Sequence, residues 1–290
     1  MPTRRFAQVN VFSTQPLLGN PVAVVVDGEG ISEADMQAFA RWTNLSETTF
    51  LLPPTTDDAD YRVRILTPDG ELPFAGHPTL GSAHAWREAG GVGRTEGRIV
   101  QECAAGLVIL RRDGERWAFA GPPLTRYEPL DAATLAQVCA ALRIDRDDVL
   151  DASWLVNGPQ WIGVRLASAA QVLAIRPDGS AFAGLDIGVV GPHPEDDAGP
   201  HDGGVDDVPR PDVEIRAFVG EGGGYEDPVT GSFNAGVGRW LVDTGLVPAS
   251  YVAAQGTVLH RAGRVHVRAV DGEIWVGGDA TTVVAGTVTL

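Results

Sequence analysis

"FAGHPTLGSAHAW", residues 74–86, and "EDPVTGSFNAGVGRW", residues 226–240, carry the same punctuation. In each, a strand-like run leads through Gly and Pro into a helix-like run, with Gly76, Gly81 and Trp86 echoed by Gly231, Gly236 and Trp240. Two glycine pairs match easily in a chain holding 36 glycines, so the echo alone is thin evidence of duplication. It nevertheless points to an α+β chain made of two pseudo-symmetric halves.

Outward from these two stretches the pattern is mixed. "RFAQVNVF" (5–12) alternates as a half-buried strand and "PVAVVV" (21–26) reads as a more buried one, with "STQPLLGNP" (13–21) as the loop between them. In "ISEADMQAFARWT" (31–43), Ser32 and Asp35 make a capping-box-like start, and Met36, Phe39 and Ala40 fall at helical intervals. Strand-like runs follow at 48–53, 61–66, 107–112 and 116–121. "GPPLTRYEP" (121–129) reads as a linker. The second half then supplies a helix at 132–142, strands at 153–158, 161–166 and 213–220, and a strand-like end at 274–290.

The 290 residues and 44% hydrophobic content suffice for a substantial core. A formal net charge of −16 argues against nucleic acid as a partner. All 22 basic residues are arginine, which excludes a Schiff-base lysine and a phosphate-loop lysine. No apolar run approaches the roughly 18 residues of a membrane span, and the N-terminus has no signal-peptide core, so the expected location is cytoplasmic with no membrane partner. Two cysteines, Cys103 and Cys139, make no disulfide framework and no metal-ligand spacing, and read as buried thiols. "GPHPEDDAGPHDGGVDDVPRPD" (191–212) lacks periodic apolar residues and reads as a mobile surface loop. Its His193 and His201 sit among aspartates but in no fixed metal geometry, so no metal site is expected.

Three stretches join titratable residues to turn chemistry: "NLSETTF" around Glu47, "FAGHPTLG" around His77 and "YEDPVTGS" around Asp227. Glu47 lies between Leu45 and Phe50, and a carboxylate in an apolar setting is suited to general acid/base work; the plain alternative is a surface glutamate after a helix. For His77 the alternative is a hydrogen-bonded core histidine, and for Asp227 an N-cap. Pro78 and Pro228 fit the first turns of helices whose free N–H groups would hold an anionic group without any lysine.

Together, "GNPVAVV", "SETTF", "FAGHPTLG" and "EDPVTGS", in this order and at these separations, resemble the hallmark stretches of the phenazine-biosynthesis isomerase (PhzF-like) family, within the diaminopimelate epimerase-like fold. The likeness covers nearly the whole chain. It implies two similar domains, each a mixed sheet wrapped around a central helix: 1–125 with 281–290 returning to it, and 126–280. It places the active site in the cleft between them, needs no cofactor, and is accompanied by the expectation of a homodimer. Glu47 takes the position of the family's general acid/base, with His77, Asp227 and Ser232 as the other catalytic candidates. Gly76, Gly231 and Asn20 are the substrate-binding candidates. The related epimerases use two cysteines where this chain has Ala75 and Asp227, which counts against a two-thiol mechanism. Asn10 stands where the family often has aspartate.

The expected activity is therefore a cofactor-independent proton shift within a small carboxylated substrate. Two other readings stay open. A serine hydrolase would use Ser232 or Ser46 with His77 and Asp227, although no G-x-S-x-G elbow is present. A protein of the same fold that only binds small carboxylates, or acts as a scaffold, would keep these residues without turnover.

Overall fold

The computed structural model describes residues 2–194, 210–221 and 224–290. The chain forms two compact units, Met1–Ala120 with Gly277–Leu290, and Gly121–Val276.

In the first unit β1 (Thr3–Val11) pairs antiparallel with β2 (Asn20–Val25), and α1 (Glu33–Thr43) leads to β3 (Thr48–Leu52), parallel to β2. β4 (Tyr61–Leu66) runs antiparallel to β3 and carries the short β5 (Glu71–Leu72). After α2 (Gly76–Glu88), β6 (Arg98–Cys103) returns parallel to β4, and β7 (Gly106–Asp113) and β8 (Arg116–Ala120) follow as antiparallel neighbours.

The second unit repeats this order of directions. β9 (Arg126–Pro129) and α3 (Ala132–Leu142) precede β10 (Asp151–Val156), which pairs antiparallel with β11 (Trp161–Arg165). Then come α4 (Ala169–Ala174), β12 (Asp186–Pro192) parallel to β11, and β13 (Val213–Val219) antiparallel to β12. The short β14 (Tyr225–Asp227) pairs antiparallel with β13 before α5 (Gly231–Asp243). β15 (Ser250–Gln255) is parallel to β13, β16 (Gly263–Val270) is antiparallel to β15, and β17 (Glu273–Gly278) follows. The last strand, β18 (Ala280–Thr289), lies antiparallel on β1 as β9 lies on β10. The duplication left thin by the glycine echo is thus carried by topology.

Each unit wraps its mixed sheet around one helix. In α2 the run Gly76–Ala83 and Ala85 are all buried, and α5 buries nine of its residues, Trp240 and Leu241 among them. A helix buried on most of its faces needs small residues where strands press on it. Gly81 serves this in α2, where a Cβ would overlap Val22, and Gly236 sits close against Leu155 of β10. A buried glutamine ties each helix to a neighbouring strand at its fourth residue. Gln101 Nε2 donates to Thr79 Oγ1 (3.0 Å), and Gln255 Oε1 accepts from Asn234 Nδ2 (2.9 Å).

The outer helices pack more conventionally. Ser32 caps α1 by accepting from the Asp35 N–H (3.1 Å), and Met36, Phe39 and Ala40 cover Val25, Phe50 and Leu66. In the second unit Val138, Ala141 and Leu142 of α3 meet Trp154, Ile162, Val164 and Phe182. None of the described helices is long and apolar enough to cross a membrane.

Four sequence expectations change. The 121–129 linker contains β9, because Arg126–Pro129 pairs with Val156–Ser153. Asn20, read as loop, begins β2. Gly191 and Pro192 end β12, opposite Glu214 and Val213, so the loop is shorter than 191–212; residues 195–209, with His201, lie outside the described residues. Pro228 stands before α5, which begins at Gly231 with Thr230 at the N-cap position, so Asp227 is not the cap. Strands need tertiary partners, and that is what short segments such as β9 and β14 cannot announce.

Candidate active site

The first-unit candidates converge. His77 is the second residue of α2, and Glu47 lies just before β3. His77 Nε2 stands 3.1 Å from Glu47 Oε2, with side-chain exposures of 5% and 14%. The approach is at contact distance but off the direction of a hydrogen bond. Burial holds the His77 imidazole down at about 3, with a hydrogen bond to the Pro21 backbone working the other way. His77 is therefore neutral at pH 7 and brings no positive charge to Glu47. Its other nitrogen, Nδ1, lies 3.3 Å from Nδ2 of the fully buried Asn20.

Asn10 fixes the loop that leads into Asn20. Its Nδ2 donates to the carbonyls of Ser13 (3.2 Å) and Gln15 (3.1 Å), while its Oδ1 accepts from the Gly19 N–H (2.7 Å). An aspartate could not donate to those carbonyls, so the departure from the family pattern suits this loop. Gly19 is pressed on the Val11 carbonyl, where a Cβ would overlap, and Asn20 follows directly.

The second-unit candidates are built on the turn from β14 into α5. Asp227 Oδ2 accepts from Thr230 Oγ1 at 2.6 Å. Ser232 Oγ accepts from the indole Nε1 of Trp161 (3.0 Å), and the Ser232 carbonyl accepts from Asn157 Nδ2 (2.8 Å). Backbone strand β14 is held by Glu226, which receives two hydrogen bonds from Arg216 (2.9 and 2.8 Å) with side-chain exposures of 9% and 3%.

Both central helices open without a side-chain cap. The first intrahelical N–H of α2 belongs to Thr79, leaving Gly76 and His77 outside the ladder, and Pro78 has none to give. In α5 the ladder starts at Asn234, leaving Gly231, Ser232 and Phe233. Such N–H groups, at the positive end of a helix dipole, are a fitting seat for a carboxylate.

Thr230, Gln255, Trp161 and Asn157 escaped the sequence reading. Thr230 stood inside "EDPVTGS" between two candidates, and Gln255 is a polar residue closing the apolar run "YVAAQ". Both were visible as types but not as partners. Burial raises the thiols of Cys103 and Cys139, so neither is tuned as a base. His193 Nε2 meets Glu214 Oε2 at 3.1 Å, and among the described residues no three potential ligands gather for a metal.

Comparison with known proteins gives the family. A family model described as phenazine biosynthesis-like protein matches residues 9–286. The chain is 35% identical over 307 residues to antisense-enhancing sequence 1 of Schizosaccharomyces pombe, covering 99% of each. It is 31% identical over 283 residues to the trans-2,3-dihydro-3-hydroxyanthranilate isomerase of Pseudomonas aeruginosa, covering 91% of this chain and 90% of that one. The crystal structure of a PhzF family protein from Enterococcus faecalis shares the fold, with a TM-score of 0.80 at 24% identity over 100% of both chains. With the model spanning most of its length and relatives named as isomerases, the chain belongs to the phenazine biosynthesis-like family and is an isomerase.

Proposed function

We propose that the protein moves a proton between atoms of a small carboxylated substrate by general acid/base chemistry and without a cofactor. The observation that carries this reading is the Glu47–His77 pair: a largely buried carboxylate in contact, at 3.1 Å, with a neutral imidazole at the uncapped start of a helix. Glu47 takes the proton from carbon and returns it elsewhere, and His77, Asp227 and Ser232 orient the substrate and serve its heteroatoms. N–H groups at Gly76 and Gly231 bind the carboxylate, and Asn20 supports the His77 side of the site.

The surroundings of Ser232 favour this over acyl transfer. A triad serine is hydrogen-bonded to the base that takes its proton, whereas among the described residues Ser232 Oγ is hydrogen-bonded to the Trp161 indole N–H and to no base.

The test is solvent-deuterium incorporation, followed by NMR, across a panel of small carboxylic acids. The compound named for the P. aeruginosa relative, trans-2,3-dihydro-3-hydroxyanthranilate, is the first to try. Incorporation at carbon with the native protein, lost in Glu47→Gln, supports the proposal. Binding without exchange across the panel points instead to a carboxylate-binding protein.

A further inference from the structure

We propose that Gln255 and Thr230 are positioning residues that fix the polarity of the hydrogen bonds around Asp227; the inference rests on the role of Asp227 proposed above. Gln255 is fully buried at the end of β15, where it pairs in register with Ile215 of β13. All four hydrogen-bonding positions of its amide are engaged. Oε1 accepts from the Thr230 N–H (3.0 Å) and from Asn234 Nδ2 (2.9 Å). Nε2 donates to the Asp227 carbonyl (3.2 Å) and to Thr230 Oγ1 (2.9 Å).

Those partners leave one orientation for the amide. A backbone N–H only donates and a backbone carbonyl only accepts, so flipping Gln255 would set donor against donor and acceptor against acceptor. Nε2–H therefore occupies a lone pair of Thr230 Oγ1. The hydroxyl proton is then directed to Asp227 Oδ2 at 2.6 Å, within the range of a charge-assisted O–H···O bond.

The relay also explains why Thr230, at the N-cap position of α5, does not cap it. Threonine is a good N-cap residue, and its oxygen would ordinarily accept from the N–H of the second or third helical residue. Here that oxygen takes the Gln255 amide proton and hands its own to Asp227. Chains of this kind strengthen one another and hold a side chain in one rotamer. One buried amide thus binds the Asp227 backbone and, through Thr230, its carboxylate.

The experiment compares Thr230→Val, Thr230→Ser and Gln255→Glu in protein labelled with 13C at the aspartate carboxyl carbon, the Asp227 resonance being assigned by its loss in Asp227→Asn. Valine keeps the shape of threonine and removes the hydroxyl, while serine restores it. Glutamate at 255 keeps the two accepting contacts and replaces both donors, so the Thr230 hydroxyl turns away from Asp227. The expected result is a moved Asp227 resonance in the Val and Glu variants, with kcat down roughly tenfold and KM nearly unchanged, and both restored by Ser.

An unmoved resonance and native kcat in Thr230→Val overturn the relay. So does a loss that Ser fails to restore, which assigns the effect to methyl packing. If the resonance moves as expected but Asp227→Asn turns over at the native rate, the role of Asp227 in the reaction fails while the relay hydrogen bond stands.

Discussion

His77 Nε2 and Glu47 Oε2 meet at 3.1 Å although one belongs to the first turn of α2 and the other to the residue before β3. The pairing is made by the sheet. Thr49 of β3 reaches α2 through Ser82, whose Oγ donates to Thr49 Oγ1 at 2.9 Å, both fully buried. The strand that follows Glu47 is thereby fastened to the helix that starts at His77, and the two titratable groups have one relative placement.

Glu47→Gln keeps the shape of the side chain and cannot accept a proton from carbon. Turnover is expected to fall by roughly two to four powers of ten, the usual size of a general acid/base contribution. Substrate affinity, measured by calorimetry, should stay close to native because the carboxylate is assigned to backbone N–H groups. Carbon-bound exchange at the native rate would remove Glu47 from the mechanism.

His77 makes stability depend on pH in a definite direction. Its folded value of about 3 lies below the ordinary histidine value of 6.5, so between these limits the unfolded chain binds more protons than the folded one. The contribution is complete above about pH 6.5 and is lost as pH falls towards 3. In His77→Gln, urea midpoints measured from pH 7 to pH 4 should fall less steeply than in the native protein. Parallel slopes would mean that His77 is protonated without cost.

Cys103 and Cys139 are expected to be dispensable. Burial raises both thiols, so each is protonated at neutral pH. The variant with both replaced by Ala should retain native turnover, and the native thiols should react with a thiol reagent more slowly than glutathione. A large loss of turnover in that variant would restore a thiol mechanism to consideration.

Gly81→Ala should destabilise the first unit. The added Cβ would overlap Val22 and crowd Val11, both fully buried on β2 and β1. Overpacking of this kind costs about 1–3 kcal/mol, read as a lower midpoint in thermal or urea unfolding. A native midpoint would show that α2 shifts on the sheet without penalty.

Local chemistry was enough for several elements. The Ser32 cap, the apolar stripe of α1, the helix at 132–142 and the strand-like run Tyr61–Leu66 all follow from neighbours in the chain, and each appears where its pattern placed it. The motif stretches carried the family and the α+β class, because residues such as Gly76, Pro78 and Gly231 combine turn geometry with chemistry in a few positions. The partners of those residues did not follow. Glu47 meeting His77, Trp161 donating to Ser232, and Gln255 bracing Asp227 through Thr230 all join residues distant in the chain. The start of α5 was misplaced for the same reason: Thr230, Asp227 and Gln255 satisfy one another, and that exchange, invisible from the order of residues, puts the first helical residue at Gly231 rather than beside Pro228. Periodicity and capping act over a few residues and are written in sequence; which buried polar groups satisfy one another is decided by strand pairing, and so only by the tertiary structure.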